Sequence, residues 1–94
     1  MTIDPGGRYQ LASKARLVFD PSRNTPMLLY PERGMALSEV AAAIARLCAQ
    51  PVSVAEIAEC LGQRYPETSA QAIERDVLSF LGELERRGLL QAAS

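Results

Sequence analysis

The chain has 94 residues, 48% of them hydrophobic and 22% charged, with a formal net charge of −1 and no histidine. That length holds one domain with one core, and no apolar run approaches the roughly 20 residues that a membrane-spanning helix needs. Without histidine, a Gly-rich phosphate loop, a nucleophile elbow or clustered cysteines, the sequence offers no catalytic constellation; neither a metal site nor a cofactor is inferred.

Met1 to Gly7 has no basic cluster followed by an apolar stretch, so it does not read as a secretion signal, and a cytoplasmic protein is expected. Pro5-Gly6-Gly7 marks residues 1–7 as a flexible start to a single domain over 8–94. Tyr9 to Leu11 can form a short extra strand. Ala15 to Phe19 is rich in strand formers, the turn-dense Asp20 to Pro26 follows, and Met27 to Tyr30 reads as the returning strand. Pro31 must sit at a strand end or edge, and Gly34 is expected to supply the positive φ of a tight turn into a third strand, Met35 to Leu37.

From there the period changes to that of helices. Ser38 is the expected N-cap of the first helix, with Glu39 in its first turn and Val40, Ala43, Ile44, Leu47 and Cys48 as its apolar stripe; it ends before Pro51. Ser53 and Glu56 form a capping box for a second helix over about Val54 to Arg64, with Val54, Ile57, Ala58, Leu61 and Tyr65 inward. A third and longest helix opens at Thr68 or Ser69 and closes at Gly88, with Ile73, Val77, Phe80, Leu81 and Leu84 as its main stripe. Cys48 and Cys60 both fall in apolar helical patterns and read as small core hydrophobes.

The predicted fold class is therefore α+β: a small antiparallel three-stranded sheet followed by a three-helix bundle, an arrangement like a winged helix-turn-helix. Leu78 lies off the centre of the third helix's stripe, beside Gly82 and Arg75. It is either core at the stripe's margin or one wall of an apolar groove. If Met35 to Leu37 is a sheet edge, its free backbone groups are a template for an added peptide strand. DNA binding is the competing reading for such an architecture, but the third helix carries Glu74, Asp76, Glu83 and Glu85 against Arg75, Arg86 and Arg87, not a basic stripe. Charge divides along the chain: residues 1–33 hold five cations and three acids, and residues 34–94 five arginines and eight acids. Self-association through the edge, giving a homodimer, is a third reading.

The sequence resembles the pyrroloquinoline quinone biosynthesis protein D family, PqqD. The resemblance runs from Ala15 to Leu90 and is carried by Arg16-Leu17, the run Leu28-Leu29-Tyr30-Pro31-Glu32-Arg33, Leu37, Ile44, Leu47-Cys48, Val54-Ala55-Glu56-Ile57, Leu61, Tyr65, Asp76-Val77, Phe80-Leu81, Leu84 and Gly88-Leu89-Leu90. Gln50-Pro51 stands where the family usually has Asp-Gly, and Ser38 where Asn is common. The resemblance implies a non-catalytic peptide chaperone that binds a precursor peptide, PqqA, and presents it to a radical S-adenosylmethionine enzyme, PqqE. It implies a peptide strand on the third strand and third helix, hence Arg33, Gly34, Met35, Ala36, Leu37, Arg75, Leu78 and Gly82 as contact residues. Cofactors, nucleic acid and membrane are not implied.

Overall fold

In the computed structural model, residues 3–31 and 33–93 are described. Met1 and Thr2 of the start expected to be flexible, and Glu32 of the junction run, lie outside the described residues. Strand β1 spans Arg8–Leu11, β2 Arg16–Asp20, β3 Thr25–Tyr30 and β4 Arg33–Ala36. Helix α1 spans Glu39–Leu47, a two-residue strand β5 spans Val52–Ser53, and α2 Val54–Arg64, α3 Ala70–Arg86 and strand β6 Leu90–Ala93 complete the order.

The α+β class is present, with a second sheet added to the one expected. Strands β2, β3 and β4 form the antiparallel hairpin sheet, with Leu17 opposite Leu28 and Leu28 opposite Met35. A separate antiparallel sheet in the order β5-β1-β6 joins the two ends of the chain, pairing Tyr9 with Ala92 on one side and with Val52 on the other. The short β5 and β6 carry no alternation long enough to register as strands in the sequence; their pairing with β1 makes them so.

The helix boundaries follow the local chemistry. Ser38 Oγ accepts the Ala41 N–H at 3.1 Å and Ser69 Oγ the Ala72 N–H at 3.1 Å, each filling one orphan donor of a first turn. At α2 the capping box closes both ways: Ser53 Oγ accepts the Glu56 N–H at 3.0 Å, and Glu56 Oε1 accepts the Ser53 N–H at 2.9 Å. Helix α3 ends in a Schellman turn, where Leu89 N–H donates to Leu84 O at 2.8 Å and Gly88 N–H to Glu85 O at 2.9 Å. Gly88 takes the positive φ of 72° that this turn requires.

One core gathers Leu28 from the hairpin sheet and Leu37 just after it, Ala42 to Ala45 from α1 and Cys48 at its C-cap, Val54, Ile57 and Leu61 from α2, Ile73, Val77, Leu81 and Leu84 from α3, and Tyr9 and Leu90 from the terminal sheet with Leu89 just before it. Its α1 face is wider than the expected stripe, because helix α1 is enclosed along Ala42-Ala43-Ile44-Ala45, where small side chains admit close neighbours. Cys48 is fully buried and its thiol is pushed up to about 12 by burial, whereas Cys60 is exposed and does not join the core. Residues Asp4–Gly7 turn back on themselves: Gly7 N–H donates to Asp4 O, and the Asp4 N–H donates to the Tyr9 hydroxyl at 2.6 Å.

Gly34 differs from expectation. It does not occupy a positive-φ turn but lies inside β4, opposite Leu29. A Cβ there would come within 2.9 Å of Leu29 Cδ2 and 3.5 Å of Met27 Cε, so the missing side chain makes room for its neighbours on the outer face of the sheet.

Candidate functional site

Strand β4 pairs with β3 on one side and ends the sheet order on the other. Leu37 N–H donates to Pro26 O at 2.9 Å, continuing the β3–β4 ladder by one residue. In an antiparallel ladder the residues facing the partner strand alternate, so Arg33, Met35 and Leu37 direct their backbone groups to β3, and Gly34 and Ala36 direct theirs to the open edge. Both edge residues are exposed. Two N–H and two C=O groups are thus offered to an incoming strand.

Ser38 follows two residues after β4 and lines one end of a groove of about 500 Å³ between α1 and α3. Val40, Ala41 and Ile44 form the α1 wall; Asp76, Ser79, Phe80 and Glu83 form the α3 wall. Val40 and Asp76 also line a smaller cavity of about 70 Å³, together with Leu61, Tyr65, Thr68 and Ile73. Both walls come from helices fixed by the core, since Ile44 and Ile73 each belong to it.

The charges of this groove differ in their engagement. Glu83 accepts from Arg86 Nη2 at 3.1 Å and from Arg87 Nε at 2.9 Å, and these bonds hold its carboxyl below the usual glutamate range. Arg87 Nη1 also donates to the Tyr30 hydroxyl at 3.1 Å, tying the end of α3 to the hairpin sheet; this bond and the one to Glu83 raise the guanidinium further. The Asp76 side chain makes no hydrogen bond or ion pair among the described residues.

Of the residues singled out in the sequence, Arg33, Gly34, Met35, Ala36 and Leu37 come together in β4 and its first following residue. Met35 faces inward against the core and Leu37 belongs to it, while Arg33, Gly34 and Ala36 are exposed. Arg75 and Leu78 lie elsewhere, lining a separate depression with Ala70, Gln71 and Glu74. Gly82 is one turn after Leu78 on that flank, and its nearest neighbour is Arg86 Nη1, 3.7 Å from where a Cβ would be. At 100° per residue, positions 78 and 76 point roughly 160° apart around the helix, which is why the two flanks cannot serve one groove. Leu78 is half-buried and packs against the core. The α3 residues of the groove that were not singled out in the sequence, Asp76, Ser79 and Glu83, fall with Phe80 at i, i+3, i+4 and i+7, one flank of the helix. Nothing in the sequence says which flank of α3 faces α1.

Comparison with known proteins places this geometry among relatives. The family model described as coenzyme PQQ synthesis protein D (PqqD) matches residues 27–90. The chain is similar to the PqqA binding protein of Rhodopseudomonas palustris strain TIE-1, with 37% identity over 93 residues covering 99% of this chain and 90% of that protein. It is also similar to the bifunctional coenzyme PQQ synthesis protein C/D of Methylorubrum extorquens, 38% identical over 82 residues that make up 87% of this chain and 22% of that longer protein. Among solved structures, the solution structure of the PqqD part of Methylobacterium extorquens PqqCD, a stand-alone recognition element for ribosomally synthesized and post-translationally modified peptides, superposes with a TM-score of 0.82. The identity is 33%, with 96% of this chain and 95% of that one covered.

Proposed function

Because this chain belongs to the coenzyme PQQ synthesis protein D family, we propose that it is a peptide-recognition element of coenzyme PQQ synthesis that binds the precursor peptide PqqA as an added strand on β4. The observation that carries the reading is the open β4 edge, Gly34 and Ala36, followed two residues on by Ser38 at the end of the α1–α3 groove. The names of the relatives support the peptide, since several are PqqA binding proteins.

Energetics explains why the edge and the groove belong together. Four ladder bonds at a net ~1 kcal/mol each give about 4 kcal/mol, against about 8 kcal/mol for micromolar affinity. The remainder corresponds to roughly 160 Å² of apolar burial at ~25 cal/mol per Å², before the cost of ordering the peptide. Val40, Ala41 and Phe80, each partly exposed, offer apolar surface for one or two inward side chains of such a strand. The protein acts without catalysis of its own: it holds the peptide extended and presents it to the modifying enzyme, the radical S-adenosylmethionine enzyme PqqE. A homodimer formed edge to edge through β4 would exclude the peptide, so peptide binding is expected to dissolve any such dimer.

Fluorescence anisotropy of labelled PqqA tests this reading, with a scrambled peptide and a low-salt DNA duplex as controls. Saturable binding of PqqA alone is expected; equal binding of the scrambled peptide, or preference for DNA, contradicts it.

A further inference from the structure

The α1–α3 groove and the smaller cavity beside it share Val40 and Asp76 and are mostly apolar, and the ionisable side chains among their lining residues are Asp76, Glu83 and Tyr65, with no cation. Glu83 already holds two arginines. Asp76 lines both depressions and is unengaged. The opposite flank of α3 is different, because there Glu74 and Arg75 stand side by side around Leu78.

From this charge pattern we propose that Asp76 is a specificity residue that receives one lysine or arginine side chain of the bound peptide. The proposal rests on the strand-addition reading and goes beyond it by naming the chemistry of one peptide position. A long cationic side chain fits the space in both of its parts. Its aliphatic stem lies against Val40 and Phe80, and its head reaches the carboxylate that lines both depressions. An acidic side chain in the same place would meet two carboxylates, one of them unscreened, so the groove rejects it as well as selecting the cation. A neutral apolar side chain would bury its stem equally well but leave Asp76 as it is in the free protein. The discrimination therefore resides in the charge alone.

Norleucine keeps the stem and removes the charge, which gives a direct test. PqqA is prepared as a series in which each lysine and arginine in turn is replaced by norleucine, and affinities are measured at low salt for the wild-type protein, Asp76→Asn and, as a control on the far flank, Glu74→Gln. One replacement is expected to weaken binding to the wild-type protein and to Glu74→Gln by roughly two- to five-fold, the range of a solvent-accessible ion pair, and to leave affinity for Asp76→Asn unchanged. Added salt is expected to shrink that difference. The inference is overturned if PqqA binds and no replacement discriminates, or if wild type and Asp76→Asn respond alike; the strand-addition reading survives either result. Absence of PqqA binding to the wild-type protein overturns both. Asp76 is exposed and unbonded, so the asparagine variant keeps the fold, which a circular-dichroism melt checks.

Discussion

Glu56 shows how much one surface carboxylate can be asked to do: it closes the capping box of α2 through the Ser53 N–H and accepts Arg8 Nη1 at 3.1 Å. The Ser53 bonds, followed by Arg8, hold its carboxyl below the usual glutamate range. Glu83 is lowered in the same direction by Arg86 and Arg87, and Asp20 chiefly by the Ser22 hydroxyl. A carboxyl whose folded pKa lies below its unfolded value contributes stability above the unfolded pKa. That contribution is lost as pH falls through the folded one. Thermal melts are therefore expected to drop as pH falls through and below the ordinary carboxylate range, with a shallower slope in a Glu56→Gln, Glu83→Gln double variant; an unchanged slope would show that these bonds do not hold in solution. For Ser53→Ala, which leaves the Glu56 N–H without its acceptor, urea denaturation is expected to show a loss of about 1 kcal/mol.

At the scale of elements, β4 has two sides with separate jobs, and proline distinguishes them. Ala36→Pro removes an N–H that faces the open edge, so it is expected to weaken PqqA binding at least ~10-fold, the equivalent of about 1.4 kcal/mol, while the melting temperature changes little. Met35→Pro removes an N–H that faces Leu28 in the ladder, so it is expected to lower the melting temperature itself. Equal thermal effects from the two prolines would mean that the register is wrong. Part of this was legible in sequence. Ser38, Ser53 with Glu56, Ser69 and Gly88 mark helix ends by local chemistry, and each end is where that chemistry put it. The role of Gly34 was not legible, because a glycine that makes room for Leu29 and one that turns the chain look alike until the strand register is known. The same limit applies to α3, where periodicity separates buried from exposed positions but does not say that the Asp76 flank, not the Leu78 flank, faces α1.

At the scale of the whole molecule, the terminal sheet was the least legible part. Arg8–Leu11 pairs with Leu90–Ala93 across almost the full length of the chain, and four-residue strands have no period strong enough to announce such a partner. Their pairing seats Leu89 and Leu90 against the end of the core, which sets the C-terminus of α3 and hence the groove wall carried by that helix. Leu89→Ala is expected to cost about 2–5 kcal/mol in chemical denaturation, as for other fully buried leucines; a cost under ~1 kcal/mol would mean that this end of the molecule is not part of the cooperative unit. The hairpin sheet is anchored separately, by Leu28 on its inner face and by the Arg87–Tyr30 bond at its end. Its edge is thus held in place without being covered, which is what a strand-accepting surface requires.

Amide hydrogen exchange at β4, measured residue by residue with and without saturating PqqA, tests the strand-addition claim most directly. Met35 and Leu37 face β3 and are expected to be protected in both states, whereas Gly34 and Ala36 are expected to exchange freely alone and become protected when the peptide is bound. Gly34 and Ala36 amides that exchange as fast in the complex as in the free protein would contradict it.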